Sequence, residues 1–302
     1  FFYDSKKSGG ITVSHLRFGN TPIQSAYLID AADFVQCSNP SYITRYNMTG
    51  DIKENGTFLF NTSAKTAEEL EDVLPAFVKR DIANKNINLY VIDAIKIAAE
   101  LGLRGRTNTI LQSAFFKVAN IIPYDQAVEF MKKMAYKSFA KKGDAIVQMN
   151  YNAIDSAEAN LIKIDVPASW ANATEGAPMA DVADNKYFKD IVHPILVLEG
   201  DKLPSSAFNA DGSVPTGTTK YEKRGVAVNV PKWDVNKCIQ CNQCAFVCPH
   251  ACIRPYLVKD ADMPELASCL LWSDPCEENG AKKSERRNGI QFGPDITKRF
   301  LK

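Results

Sequence analysis

The sequence lacks a long hydrophobic run, a charge excess of one sign and a recognisable catalytic constellation. No stretch of the 302 residues approaches the roughly 20 consecutive apolar residues of a membrane-spanning helix, so no membrane association is expected. Lys and Arg number 36 against 35 Asp and Glu, and this net charge of +1 disfavours nucleic-acid binding. The three histidines and the acidic residues form no Ser/His/Asp or paired-carboxylate pattern, so no catalytic residue is predicted.

A secretory signal is also not seen, because the chain opens on Phe-Phe-Tyr-Asp without an initiator Met, a charged region or a cleavage site. The hydrophobic fraction of 45% and the charged fraction of 24% are those of a folded globular protein. A length of 302 residues is enough for about two domains of 100–200 residues each.

Cysteine is almost absent from the first 237 residues, which contain only Cys37. A secreted disulfide scaffold would spread its cysteines through a small domain. The concentration of the others near the carboxyl end indicates a metal site appended to an ordinary body in a reducing compartment. These seven residues are Cys238, Cys241, Cys244, Cys248, Cys252, Cys269 and Cys276.

Residues 1–165 alternate strand-like and helix-like patterns, which predicts an α/β domain with a Rossmann-like, mainly parallel sheet. Thr66 and Glu69 form a capping box that predicts a helix start. From there one apolar face continues through Leu70, Val73, Leu74, Phe77 and Val78. The predicted strands include 11–18, 56–60 and 87–92, and the later helices are 93–101, 107–121, 124–139 and 144–163.

The rest of the chain divides by composition. Residues 166–184 lack periodicity and are interpreted as a linker. Residues 185–232, with an apolar run at 195–198 and an alternating run at 226–230, predict a small β-rich module. An iron–sulfur segment is predicted at 233–257, and a divergent tail without apolar period at 258–302.

The spacing C-x2-C-x2-C-x3-C-P, formed by Cys238, Cys241, Cys244, Cys248 and Pro249, is that of bacterial ferredoxins. The two-residue gaps let a tight loop wrap a [4Fe–4S] cluster and present three thiolates to three irons. The fourth cysteine of such a run serves the other cluster in two-cluster proteins. A zinc site, which usually draws on two separated CxxC pairs, and disulfides are the alternatives.

A second run of the same spacing is not found. With one cluster only, its fourth ligand is Cys248 or a remote cysteine, for which Cys252, Cys269 and Cys276 are the candidates. An isolated cysteine is more often a small buried hydrophobe than a ligand.

Several stretches resemble the pyruvate:ferredoxin (flavodoxin) oxidoreductase family. The similarity covers residues 1 to about 257, beginning with a gamma-type domain and continuing into a small EKR-type module and the start of a ferredoxin-like domain. The matching stretches are 3–19, 112–117, 166–170 and 212–224, the last ending in Glu222-Lys223-Arg224.

This resemblance implies an enzyme that cleaves pyruvate with thiamine diphosphate and Mg, forms acetyl-CoA and passes electrons through [4Fe–4S] clusters to ferredoxin or flavodoxin. It also implies a homodimer, in the cytoplasm or a hydrogenosome-like organelle. The thiamine domains have no counterpart here, so the chain is interpreted as an internal fragment or a broken gene product. It would supply the CoA-side domain and an electron relay.

Lys6 and Lys7 precede Ser8-Gly9-Gly10 in a basic, glycine-containing loop. Such a loop can bring backbone N–H groups and ammonium charge to a phosphate. Because the family uses CoA, its phosphates are the expected ligand; a solvated turn is the alternative.

Two other functions stay open. The chain could be a separately encoded gamma–delta subunit of a related 2-oxoacid oxidoreductase, active only with partner chains. It could also be a non-enzymatic docking module with a structural zinc site.

Overall fold

The computed structural model describes most of the first 221 residues and parts of the remainder, and it divides the chain into two compact units, 1–229 and 230–302. The described ranges are 2–3, 11–24, 27–103, 105–180, 182–221, 237–249, 253–258, 290–291 and 297–301.

The first unit is built on a four-stranded, mainly parallel sheet, which confirms the predicted α/β class. The strands of this unit are β1 (Phe2–Tyr3), β2 (Thr12–Val13), β3 (Ala32–Cys37), β4 (Ile52–Asn61), β5 (Asn88–Ile92) and β6 (Ile162–Ile164). In the sheet they follow the order β3-β4-β5-β6, with β3 parallel to β4, β4 parallel to β5, and β6 antiparallel to β5. Strands β1 and β2 form a separate antiparallel pair that precedes the sheet in sequence.

The helices of this unit are α1 (Ala67–Leu70), α2 (Ala76–Asn84), α3 (Ala94–Glu100), α4 (Asn108–Ala119), α5 (Tyr124–Phe139), α6 (Asp144–Asn160) and α7 (His193–Leu196). Both faces of the sheet are covered, one by α1 and α2 and the other by α3, α4 and α6. Along β4, successive side chains point to opposite faces. Phe58 and Phe60 therefore join a core with α1 and α2, whereas Leu59 joins a second core with α3, α4 and α6. All three side chains are fully buried, as expected for a central parallel strand.

The capping box is confirmed, but the helix that it starts is shorter than predicted. The Thr66 hydroxyl accepts a hydrogen bond from the Glu69 N–H at 3.3 Å, and Glu69 Oε2 accepts one from the Lys65 N–H at 2.6 Å. The single apolar face of the prediction is divided between α1 and α2 at Pro75, which cannot donate a helical hydrogen bond and is the N-cap of α2.

Two further boundaries were wrong. The strand expected at 11–18 is limited to β2, because the chain beyond Val13 makes no ladder. The helix expected to reach residue 163 ends at Asn160, and the next residues form β6, where Ile162 pairs with Val91. The sequence did not predict this strand, because β6 is defined by its pairing with β5.

The stretch predicted as a linker lies against the α/β domain. Trp170, in a 3-10 helix at Ala168–Asn172, is 1% exposed, and its indole N–H donates to Glu71 Oε1 at 2.5 Å. Glu71 Oε2 accepts from the ammonium of buried Lys79 at 2.5 Å. A Cβ at Gly176 would clash with the carbonyl oxygen of Leu74, so this close approach requires glycine.

The prediction of a β-rich module at 185–232 was wrong for its described part. Residues 182–221 contain no strand; they form a π-helix at Phe188–Val192, α7 and three 3-10 turns. Part of the apolar run at 195–198 lies in α7, which ends at Leu196. Pro194 lies in the first turn of α7, where proline is tolerated because its missing N–H would have no helical partner. The alternating run at 226–230 and Glu222-Lys223-Arg224 lie outside the described residues.

The second unit contains a short helix, α8 (Gln243–Val247), and three antiparallel strands in the order β7-β9-β8. These are β7 (Arg254–Val258), β8 (Ile290–Gln291) and β9 (Thr297–Leu301), so described parts of the predicted tail are strands. In the described part of the whole chain, no helix has the length and apolar character required to cross a bilayer.

Candidate iron–sulfur site

The cysteine loop at 237–249 is shaped by two residues with left-handed backbone conformation. Gln240 has φ 59° and Asn242 has φ 61°, on either side of Cys241. Asn is among the residues that tolerate this region best. These two left-handed residues bend the chain on either side of Cys241.

The helix α8 continues directly from this loop and ends at the fourth cysteine. Cys244 lies in its first turn, and Cys248 is its C-cap in an extended conformation, φ −71° and ψ 110°. Pro249 follows, and a residue before proline is disfavoured in the helical region. The extended conformation of Cys248 before Pro249 thus ends the helix.

The four thiols are at least partly accessible to solvent. Cys241 and Cys244 are exposed, Cys238 and Cys248 are half-buried, and none is in a disulfide. Among the described residues, no three or more His, Cys, Asp or Glu side chains are gathered closely enough to hold a metal ion. Binding a cluster therefore requires the loop to close around it.

The donor set nevertheless fits an iron–sulfur cluster. Four thiols within 11 residues are the soft ligands that such clusters take. In the same loop, Gln240 Oε1 and Asn242 Oδ1 are buried without a hydrogen-bond partner. Buried polar atoms of this kind are uncommon in folded proteins, and they mark a loop whose polar groups are not satisfied within the chain. The side-chain amides of Gln240 and Asn242 also carry N–H groups, which can donate hydrogen bonds to the sulfur atoms of a cluster.

Three exposed apolar side chains are neighbours of the cysteines in the sequence. Ile239, Phe246 and Val247 are 84%, 92% and 72% exposed. Side chains of this type around a cluster exclude water and lower the local dielectric constant, which is one of the protein's means of setting a reduction potential.

Lys6 and Lys7, predicted to bind CoA phosphates, lie outside the described residues, as do Cys252, Cys269 and Cys276. The strands β1 and β2 pair with Phe2 opposite Val13 and Tyr3 opposite Thr12.

The carboxyl ends of the parallel strands carry polar groups that the sequence analysis did not single out. Asn61, 1% exposed, donates to the Ser38 carbonyl at 2.8 Å and accepts from the Ala94 N–H at 3.0 Å, so it joins the ends of β3 and β4 to the start of α3. Asp93 caps α3 by accepting from the Lys96 N–H at 2.9 Å. A polar residue directly after a buried apolar run was the available signal for Asn61.

Cys37, at the end of β3, is not a ligand or nucleophile in this state. It is fully buried, and burial raises the pKa of its thiol to about 12. Its sulfur donates to the carbonyl oxygen of Asn39 at 3.2 Å. The thiol therefore stays protonated at neutral pH and is shielded from solvent.

An α/β domain combined with a four-cysteine loop of ferredoxin spacing defines the class of iron–sulfur redox proteins. Residues 1–159 match the family model described as pyruvate ferredoxin/flavodoxin oxidoreductase, and the chain belongs to that family. Residues 174–227 match a domain of unknown function, and residues 231–254 match a 4Fe-4S binding domain, which supports an iron–sulfur cofactor here.

Relatives match over nearly the whole chain. Pyruvate:ferredoxin oxidoreductase of Moorella thermoacetica is 55% identical over 97% of the chain and 25% of the relative. Pyruvate-flavodoxin oxidoreductase of Enterobacter agglomerans is 50% identical over 87% of the chain and 22% of the relative. Pyruvate dehydrogenase [NADP(+)] of Cryptosporidium parvum is 43% identical over 87% of the chain and 15% of the relative. The chain thus spans about a quarter or less of these relatives.

Proposed function

We propose that this chain is one part of a pyruvate:ferredoxin or pyruvate:flavodoxin oxidoreductase, in which it supplies an α/β domain on the CoA side and a segment that relays electrons. The observation that carries the proposal is the cysteine loop at 237–249, which follows an α/β domain of that family. The printed names of the relatives support pyruvate as substrate and ferredoxin or flavodoxin as electron acceptor.

The cysteines divide into two roles. Cys238, Cys241 and Cys244 are proposed to ligate one [4Fe–4S] cluster, which accepts and releases one electron at a time when bound. Cys248 completes that cluster or serves a second one. The exposed thiols allow ligation without disturbing the α/β core, and the match of 231–254 to a 4Fe-4S binding domain favours iron–sulfur over a structural zinc site.

The remaining parts of the reaction are assigned outside this chain or to its amino-terminal loop. Thiamine diphosphate and Mg are proposed to bind in other domains of a homodimeric enzyme, in the cytoplasm or a hydrogenosome-like organelle. Lys6 and Lys7 are proposed to contact CoA phosphates by charge. The domain limits follow the sequence: 1–165, a connection at 166–184, a module at 185–232 and the iron–sulfur segment at 233–257.

The test is the metal and sulfide content of the chain after anaerobic purification. We expect about four irons and four acid-labile sulfides per chain, the content of one cluster, with a reducible signal by electron paramagnetic resonance. Cys241→Ser should lose most of this iron, since it removes a thiolate ligand. The matched control Cys37→Ala should keep it, because Cys37 is buried in the α/β core. Zinc without sulfide in the unaltered chain would contradict the proposal.

A further inference from the structure

A groove on the surface of the α/β domain, here called the α4–α5 groove, lies between the two helices that residues 120–123 connect. Such a short connection makes α4 and α5 antiparallel neighbours, so the start of α4 lies beside the end of α5. The volume of the groove is about 310 Å³, at the lower end of the range for pockets that hold small molecules. Every residue from 108 to 142 is described, so the whole lining is defined.

The lining of the α4–α5 groove changes from polar to apolar along its length. The polar side chains belong to the start of α4 and the end of α5, and they are Asn108, Thr109, Gln112 and Ser138. Toward the connection between the helices, the lining is apolar and includes Phe116 and Ile122. A groove with one polar and one apolar end is complementary to a ligand that is itself amphipathic.

Small buried residues keep the apolar part of the groove open. Residues i, i+4 and i+8 share one face of a helix, and the α5 face that lines the groove carries Ala127, Met131 and Ala135 at these positions, each at most 8% exposed. Phe130 and Met134 line the groove as well and are 49% and 58% exposed. Methionine is unbranched and polarizable and therefore adapts to apolar ligands of different shape. The groove thus offers apolar surface that is open to solvent.

A positive charge lies at the polar end of the groove. The Lys142 ammonium is 5.5 Å from the centre of the Phe139 ring, which lines the groove. Between residues 137 and 144, Asp144 is the only acidic residue against Lys137, Lys141 and Lys142. None of these three lysines forms an ion pair with a described residue, and no acidic side chain lines the groove. The charge complement of this end is therefore an anion.

We propose that the α4–α5 groove binds a saturated carboxylate of about ten carbons, with the carboxylate beside Lys142 and the alkyl chain extending toward Phe116. The length follows from α4, because Asn108 and Phe116 are separated by roughly 12 Å at the helical rise of about 1.5 Å per residue. An extended chain of about ten carbons is roughly 11 Å long, taking about 1.2 Å per bond as in an extended polypeptide. The site lies within the α/β domain and is independent of cluster binding.

The first test is a calorimetric titration of the unaltered chain with sodium decanoate. We expect one saturable site, with an affinity that rises about fourfold for each methylene from hexanoate to decanoate, because each methylene leaves water for apolar surface. Decyltrimethylammonium has the same alkyl chain with the opposite charge and should bind at least tenfold more weakly. Equal affinity for the two head groups, or no saturable binding of decanoate, would overturn the proposal.

Two substitutions separate the shape of the groove from its charge. Ser138→Trp fills the polar end and should weaken decanoate binding at least tenfold, whereas Ser206→Trp, at an exposed serine outside the groove, should leave it unchanged. Lys142→Gln should weaken binding about threefold, the size of an exposed ion pair. Lys163→Gln is its matched control, because the Lys163 ammonium also lies against a ring, 5.9 Å from the centre of that of Tyr90. Equal effects of a variant and its control would contradict the assignment.

The position of the ligand can be read from the methionines of the chain. With methyl-labelled methionine, the nuclear magnetic resonance signals of Met131 and Met134 should shift when decanoate is added, since both line the groove. The signals of Met48 and Met149, which pack against the two cores on either side of the sheet, should not shift. Shifts at Met48 or Met149 without shifts at Met131 and Met134 would place the ligand elsewhere and overturn the proposal.

Discussion

The α/β core and the cysteine loop use the same kinds of side chain in opposite ways. In β4, Phe58, Leu59 and Phe60 are completely buried and determine how the sheet contacts its two helix layers. In the loop, Phe246 and Val247 are more than 70% exposed beside exposed thiols. Hydrophobic burial stabilises the first region. The second has no comparable core among its described residues, which is the condition in which metal binding supplies folding free energy.

This comparison predicts that the same substitution has very different effects in the two regions. Phe58→Ala should lower the free energy of unfolding of the α/β domain by about 3–5 kcal/mol, because it removes a buried ring and leaves a cavity. Phe246→Ala should change it by less than about 0.5 kcal/mol, since that ring is 92% exposed. Urea unfolding followed by far-ultraviolet circular dichroism measures both.

Equal effects of the two substitutions would break the comparison, because they would mean that Phe246 is buried in the folded chain. A loss of iron in Phe246→Ala with an unchanged free energy of unfolding would strengthen the contrast between the two regions. That result would mean that the Phe246 ring lies near the cluster and does not contribute to the α/β core.

The sequence predicted some parts of the fold and missed others. Burial in β4 and β5, and the helices from 93 onward, were predicted because their apolar period is a local property that survives in the folded state. The break at Pro75 and the strand β6 were missed. The break was missed because a continuous apolar face predicts one helix, although Pro75 interrupts it. The strand β6 was missed because it depends on pairing with β5, which no local pattern encodes.

The position of the candidate site was predictable from the sequence, but its geometry was not. The spacing of the cysteines predicts which residues would ligate a cluster, and this assignment stays a prediction. The exposure of Ile239 and Phe246, and the left-handed conformations of Gln240 and Asn242, are properties of the folded loop. Trp170 belongs to a stretch that resembles the family, but no local pattern predicts its burial. The structure shows that Trp170 is buried and that its indole N–H donates to Glu71.

The contact between this Trp170 segment and α2 should have an intermediate effect. Lys79 has a side chain that is 3% exposed, and Glu71 is its carboxylate partner at 2.5 Å. Glu71→Ala would leave a buried ammonium and the Trp170 N–H without this partner. The expected loss is about 2–3 kcal/mol, less than for a fully buried pair, because the Glu71 side chain is 45% exposed.

The pH dependence of stability distinguishes this network from simple packing. Hydrogen bonds from Lys79 and then from Trp170 hold the pKa of Glu71 below its ordinary value of 4.5. A carboxyl with a lowered pKa stabilises the fold above that ordinary value, and the contribution is lost as the pH falls through the folded pKa. Glu71→Gln should therefore flatten the decline of stability below pH 4.5. An unchanged slope would show that the charge on Glu71 does not contribute.

Within the α/β domain, the smallest effect is expected at the start of α1, where a surface hydrogen bond caps the helix. Thr66→Ala removes the hydroxyl that accepts from the Glu69 N–H and should cost about 1 kcal/mol. Thr66→Ser keeps the acceptor and is the matched control, measured by the same urea unfolding. Because α1 has only four residues and places Leu70 in the core, losing its cap also loosens the position of Glu71 next to it. Thr66→Ala should therefore weaken the pH dependence attributed to Glu71, whereas equal losses in Thr66→Ala and Thr66→Ser would assign the effect to the methyl group of threonine.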